Sequence, residues 1–421
     1  MFRVVERPRS GWKPAASQDP DEEKPFLSAT ARSDPTLDLL SLCQFCHTGP
    51  SGEVSIRLCG NELTQPRRGI YDDATAGELV QKLASRHEIT DVDLSYNRIG
   101  DRGALALAHC LREGWRVRRL NLMSNELTER GAQHLSAAMA APGARLTALR
   151  LNGNELGAEG GRHIAWLIGQ PHCVLTELDL GQTGQTTGSL NSILTALRNN
   201  TSLRDLVLDR PLLPDGCDEA AAQLSVVLRV NSTLRRLSVQ KFSLTDDQMR
   251  LLCDGLAGNS SLTELDLTAN RLHRDAVRHL VAALAENGAL RVIRLCHNRI
   301  QTEGALWLAR GLTEHGARDE LHIRANDVGS DGLLALLTEL KYDRLKRMHF
   351  WGNPWCARVP AEVDVLWKTG VVDPSRVDVR PYVVDYMPHL AELSQTDRLE
   401  YYNVTRYGDR TNDKVRIGYT V

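Results

Sequence analysis

Aromatic side chains are scarce, at 5% of 421 residues with only five phenylalanines, so a core built around aromatic rings is excluded and leucine must fill it. Charge of one sign is also missing. Lys and Arg number 51 against 53 Asp and Glu, a formal net charge of −2. That balance excludes bulk electrostatic capture of nucleic acid or an anionic membrane and leaves only local patches. No run of about 18 apolar residues occurs, and the stretch from Met1 to Pro8 has no apolar signal region. Nine cysteines, an odd number, are scattered from Cys43 to Cys356 without a dense disulfide framework. These absences predict a reduced, cytosolic protein, in which the sequons at Asn200, Asn231 and Asn403 serve turns rather than glycans.

What the chain does have is one unit, repeated. Leu262-Thr263-Glu264-Leu265-Asp266-Leu267-Thr268-Ala269-Asn270-Arg271-Leu272 reads L-x-x-L-x-L-x-x-N-x-L, the consensus of a leucine-rich repeat. Leu265 and Leu267 alternate with polar neighbours, as in a strand with one buried face, and Asn270 stands where the strand must turn. The asparagine position recurs at Asn61, Asn97, Asn125, Asn154, Thr183, Pro211, Phe242, Asn270, Asn298, Asn326 and Asn353, mostly 28 or 29 residues apart. Between strands, segments such as Gly103 to Leu111 and Gly304 to Leu312 carry apolar residues at helical spacing, with small residues first. Acidic Asp101, Glu129, Glu159, Glu303 and Asp331 suit the first helical turn, and Asn199-Asn200, Gly258-Asn259 and Asn287-Gly288 read as stops. A unit this short cannot bury its own apolar face, so neighbours must stack. The predicted fold is an α/β solenoid, a horseshoe of about eleven 28-residue repeats, with parallel strands on the concave face and helices on the convex face. Thr183, Pro211 and Phe242 break the asparagine series together, which points either to altered curvature or a covering element, or to drift tolerated by a long array.

The ends are not repeats. Residues 1–31, with four prolines and the acidic run Asp19 to Glu23, read as an extended arm in which Trp12 is a candidate anchor for a partner. Asp34-Pro35 opens a capping helix within 32–52, the repeats run from 53 to 355, and 356–421 form a C-terminal cap and tail. In that last part Pro360 to Lys368 reads as a helix and Val377 to Tyr386 as an edge strand interrupted by Pro381. Tyr401 and Tyr402 lie in a polar stretch suited to a second cap or to ordering on a partner.

Cys43-Gln44-Phe45-Cys46-His47 matches the haem-attachment spacing, but covalent haem needs an export context, a second axial ligand and a pocket. The reading adopted is small apolar residues near the end of the capping helix, with zinc held by distant ligands as the alternative. Gly181 to Gly188 is glycine-rich without a P-loop lysine, and no G-x-S-x-G or H-E-x-x-H occurs. The chain is therefore expected to be non-enzymatic, without cofactor, metal or small-molecule substrate, and to bind neither nucleic acid nor membrane.

The informative surface is the polar face of the strands. Asp93, then Glu177, Asp179, Asp205, Asp209, Glu264 and Asp266, make its middle acidic, broken by Arg236. Arg294, His322, Arg324, Arg347, His349 and Trp351 make its C-terminal end basic and aromatic. That change of sign suits a protein partner with a basic segment beside an acidic one; alternatively, a strand face toward water is polar in any case.

The period and the Gly-Ala-x-x-Leu-Ala helix resemble the ribonuclease-inhibitor-like class of leucine-rich repeats. Phe350-Trp351-Gly352-Asn353-Pro354-Trp355-Cys356, Asp378 to Asp385, Leu390 to Leu393 and Tyr401-Tyr402 resemble the end of the ciliary family called leucine-rich repeat-containing protein thirty-four. That resemblance implies a non-enzymatic scaffold or adaptor of the motile-cilium axoneme, in a radial spoke or neighbouring complex, with other axonemal proteins as partners. The repeats also resemble the GTPase-activating protein of Ran, a regulator, although its acidic tail and a functional arginine have no counterpart here. A cytosolic inhibitor or sensor is the third class, without the attached nucleotide-binding domain that immune receptors carry.

Overall fold

A computed structural model describes residues 45–49, 52–60, 71–214, 216–314, 319–340 and 345–393. The N-terminal arm with Trp12, most of the expected capping helix, Cys43, and Tyr401 and Tyr402 lie outside the described residues.

Eleven parallel strands run in chain order: β2 (Val54–Arg57), β3 (Ile89–Asp93), β4 (Arg119–Asn121), β5 (Ala148–Arg150), β6 (Glu177–Asp179), β7 (Asp205–Val207), β8 (Arg236–Ser238), β9 (Glu264–Asp266), β10 (Val292–Arg294), β11 (Glu320–His322) and β12 (Arg347–His349). Each is the three to five residues around the first apolar position of the L-x-L pair. The register carries Leu120 onto Leu149, Leu178, Leu206, Leu237, Leu265, Ile293, Leu321 and Met348, so one buried row runs through the sheet. A helix follows each rung. These are α1 (Asp73–Ala84), α2 (Asp101–Arg112), α3 (Glu129–Met139), α4 (Gly157–Ile168), α5 (Thr187–Asn199), α6 (Asp218–Val230), α7 (Asp246–Ala257), α8 (Arg274–Glu286), α9 (Gln301–Glu314), α10 (Ser330–Glu339) and α11 (Arg358–Lys368). Their buried faces close a single continuous leucine core. The horseshoe of eleven repeats is thus the fold of the described chain.

The asparagines do for the turns what hydrogen bonds do for the strands. Asn154 donates from Nδ2 to Leu122 O and Leu151 O, both at 2.8 Å, and its Oδ1 accepts the N–H groups of Asn125 and Leu127. One buried amide therefore satisfies four backbone groups and ties its own turn to the preceding rung. Asn97, Asn125, Asn270, Asn298 and Asn353 repeat the arrangement.

Where this ladder fails, the sheet does not. β6 to β9 keep an unbroken register past Thr183, Pro211 and Phe242. Thr183 Oγ1 donates to Leu180 O at 2.6 Å, and Gln185 Nε2 reaches Gly157 O and Thr183 O. Phe242 is buried and its N–H is taken up by Asn270. A second ladder covers the same stretch on the opposite edge, where helices end. Asn231 Nδ2 donates to Leu197 O and Asn200 O, Asn259 to Leu228 O and Asn231 O, and Asn287 to Leu256 O and Asn259 O. The residues read from sequence as helix stops are thus inter-repeat ties.

The first-turn acids also act between repeats. Asp101 Oδ1 accepts from Thr128 N and Gly131 N of the next repeat, at 2.9 and 2.8 Å, and Asp73 does the same for Gly100 and Gly103. A side chain at Gly103 would meet Ile99 at 2.5 Å, which is why these helices begin with glycine.

Both ends of the sheet are covered. At the first rung, β1 (Cys46–Thr48) pairs antiparallel with β2. This corrects the expectation that Cys46 and His47 close a helix: the exposed edge of β2 needs backbone partners, and a strand supplies them. At the other end, α11 is the expected cap helix. Val377 then makes a parallel bridge to Met348, and the chain turns into a separate hairpin of β13 (Val379–Val384) and β14 (Met387–Glu392). Pro381 sits within β13, opposite Leu390.

Candidate functional site

Three rows of side chains cross the concave face: those just before, between and just after the two leucines of each rung. Rungs are about 4.8 Å apart, so each residue stands within reach of its counterpart on the next strand. That spacing decides what most of the charges do.

In the middle row the acids serve their own turns. Asp93 accepts the N–H of Ser95 at 3.0 Å, Asp179 that of Gly181 at 2.8 Å, and Asp266 that of Thr268 at 2.9 Å. Asn121 does the same for Met123. Asp266 also accepts from Gln240 Nε2, and burial pushes its carboxyl up, against the pull of the Thr268 bond and Arg294. Asp209 is buried and accepts from Ser238 Oγ and Gln240 N. Asp179 and Asp209 thus stand on the face read from sequence but are not open to a partner.

The row before the leucines is a ladder of ion pairs. Arg119 reaches Asp91 at 3.5 Å and, past Ala148, Glu177 at 3.7 Å. Arg236 Nε bonds Asp205 at 2.8 Å. Burial works against the Arg236 charge, but the Asp205 bond and the fields of Asp205, Glu264 and Glu177 outweigh it and hold the guanidinium above its ordinary range. Arg119 and Arg236 are the most open cations of the face, with side chains 63% and 53% exposed. Arg119 stands in the same row as Glu177 and Asp205, and its pairing becomes visible only once β4, β5 and β6 are in register.

At the C-terminal end the basic surface expected from sequence is neutralised from within. Arg294 pairs with Glu264 and lies 3.9 Å from Glu320; Arg347 reaches Glu320 at 3.6 Å. Arg324 lies 3.2 Å from Asp378 and also pairs with Glu392, both brought in by the terminal hairpin. Asp378 is buried and accepts from Phe350 N at 2.8 Å and Trp351 N at 3.2 Å. Burial pushes its carboxyl up, opposed by His349, the Phe350 N–H and Arg324. His322 is buried with its Nε2 3.2 Å from Glu320 and its ring edge-on to His349 at 4.3 Å. Burial pushes the His322 imidazole down to about 4, with the Glu320 bond acting in the other direction. Trp351 is half-buried against the core. The carboxylates of Glu320, Asp378 and Glu392 cancel the expected sign change; Asp378 and Glu392 were hidden because they arrive from outside the repeats.

Eight cysteines among the described residues are free. Burial pushes the thiols of Cys59, Cys253 and Cys296 up to about 12, so they remain protonated and unreactive at neutral pH.

A family model for the repeat agrees with two of these units. The Leucine Rich repeat family matches residues 88–108 and 146–165. No curated protein matches the sequence. Among solved structures, an internalin (InlF) from Listeria monocytogenes is similar at 13% identity and a TM-score of 0.39, over 75% of this chain and 84% of that one.

Proposed function

We propose that this leucine-rich-repeat solenoid is a non-enzymatic scaffold that binds other proteins along its concave face, and that it works in the motile-cilium axoneme. The observation that carries the binding role is the uninterrupted sheet of eleven parallel rungs, which holds exposed Arg119 and Arg236 within a field of acids on a rigid surface. Such a surface offers a partner many weak, well-placed polar contacts at little ordering cost. The axonemal placement rests on the resemblance carried by Phe350 to Cys356, Asp378 to Asp385 and Leu390 to Leu393, residues that here build the terminal cap.

Two measurements test the reading. A tagged full-length chain in ciliated cells should concentrate along the axoneme; uniform cytoplasmic signal refutes the placement. Proteins co-purified with it should be lost from the double variant Arg119→Gln and Arg236→Gln, which removes exposed ion pairs at little cost to folding and sets no like charges together. Unchanged capture refutes the concave face as the binding surface.

A further inference from the structure

Most guanidinium groups of the strand face have an acidic neighbour, but three on the edge of the molecule do not. The loops joining α2 to β4 and α3 to β5 frame a cleft of about 620 Å³ lined by His87, Thr90, Arg116, Arg118, Arg145 and Thr147. The alternation of the first loop aims the charges outward: Trp115 and Val117 are buried, so Arg116 and Arg118 are exposed. Arg145 stands likewise beside buried Leu146. Arg118 is fixed in the backbone, its N–H donating to Thr90 O at 2.7 Å and its carbonyl accepting from Thr147 N at 2.8 Å. Thr90, Arg118 and Thr147 therefore occupy successive rungs about 4.8 Å apart. No ion pair joins Arg116, Arg118 or Arg145 to a carboxylate among the described residues. Of the acids beside the cleft, Glu88 is engaged by Arg86, and Asp91 by Thr90 Oγ1 and Arg119.

The second asparagine ladder begins on this edge only at Asn200. It ties the loops 200–204 and 231–235, of five residues each, whereas 140–147 and 169–176 have eight. Helix carboxyl ends face this edge and contribute partial negative charge, so an anion is held here by side chains and not by backbone N–H groups.

We propose that this cleft binds a phosphorylated segment of a protein partner. Guanidinium groups grip a phosphate through paired N–H donors, and flanking imidazole and hydroxyl groups extend the donor set. Exposed Val174 gives the neighbouring residue of a peptide an apolar wall. The proposal deepens the scaffold reading and rests on it for the nature of the partner, but the cleft lies apart from the concave face.

The test is fluorescence anisotropy with the full-length chain and a labelled Gly-Ser peptide carrying two adjacent phosphoserines. Parallel probes are the same peptide unphosphorylated, the same peptide with glutamates, and phosphatidylcholine vesicles containing phosphatidylinositol bisphosphate. The phosphopeptide should bind, the glutamate peptide more weakly and the plain peptide not at all. Arg116→Gln, Arg118→Gln and Arg145→Gln together should weaken binding by about tenfold or more, given the strength of charge-assisted hydrogen bonds. Arg145→Gln alone should act in the same direction and keeps the result decidable if the triple variant misfolds. Arg102→Gln, Arg130→Gln and Arg250→Gln, which remove the same charge from exposed helix positions, should change nothing. Equal binding by both triple variants, or capture of vesicles without capture of the peptide, overturns the proposal. The probe needs no axonemal protein, so a failed cleft leaves the scaffold standing, and failed ciliary localisation leaves the cleft standing.

Discussion

His322 should contribute an acid-side loss of stability to the C-terminal repeats. Its imidazole is 8% exposed, edge-on to His349, and burial holds it down to about 4, below the ordinary value of 6.5. Glu320 acts in the other direction through its bond to the ring, but the charges of His349 and Arg294 oppose it. The folded chain therefore keeps His322 neutral where the unfolded chain protonates it. A depressed pKa contributes stability that is complete above about 6.5 and is lost as pH falls toward 4. At 1.36 kcal/mol per unit, the loss between pH 7 and about 4.5 is roughly 2.5 kcal/mol. Urea unfolding of the wild-type chain and of His322→Gln across that range checks the figure. Glutamine changes absolute stability, but the pH slope is independent of that offset. The wild type should lose about 2–3 kcal/mol more than the variant. Because long arrays can unfold in parts, amide exchange at Glu320 to Ile323 should show the same difference locally. Parallel pH profiles, or a measured His322 titration near 6.5, would refute the reasoning.

Asn270→Ala removes an amide that satisfies Val239 O, Leu267 O, Phe242 N and Leu244 N, and should cost about 2–4 kcal/mol in urea unfolding, whereas Thr183→Ala should cost less, its hydroxyl bonding only Leu180 O and the Gln185 side chain. Gly255→Ala should destabilise although alanine is the better helix former by about 1 kcal/mol, because its Cβ would lie 2.2 Å from Ser225 O. Gly188→Ala, with nothing within 4 Å, should instead raise the melting temperature. Asp378→Ala strands the Phe350 and Trp351 N–H groups and leaves Arg324 with Glu392 as its acidic partner, so limited proteolysis should cut the hairpin of β13 and β14 while the repeats stay protected.

The repeat was legible because its signal is carried by residues that bury themselves: the leucine rows and the amides of Asn97, Asn125 and Asn154 have one structural solution at that spacing. The second ladder was equally present as Asn200-Thr201-Ser202-Leu203, Asn231-Ser232-Thr233-Leu234 and Asn259-Ser260-Ser261-Leu262, but its partners lie a full repeat earlier, and the local pattern shows only turns and helix stops. Pairing on the concave face was illegible for a related reason. The pattern tells which side of a strand Arg294 or Arg347 occupies, whereas Glu320 between them matters only once adjacent rungs are in register. Arg324 was further still from prediction, since Asp378 and Glu392 come from beyond the last repeat.

That distinction bears on where recognition by a solenoid should be sought. On the strands, neighbours about 4.8 Å apart let opposite charges meet, and Arg119, Arg236 and Arg294 have found acids in this way. A partner of that face must compete with an existing ion pair for each contact, so its charged contacts contribute more to orientation than to affinity. In the loops such pairing is local and not periodic: Lys346 meets Asp319 one repeat earlier, whereas Arg118 in the equivalent place meets Thr90. Loop length varies between repeats, and the chain opposite Arg116, Arg118 and Arg145 offers them no carboxylate. Charge left unpaired in a cleft is available in full to an incoming anion, and its contribution should fall with added salt more steeply than that of the paired concave rows. Salt dependence therefore separates the two surfaces: binding that persists at high ionic strength belongs to the strands, and binding that disappears belongs to the loop cleft.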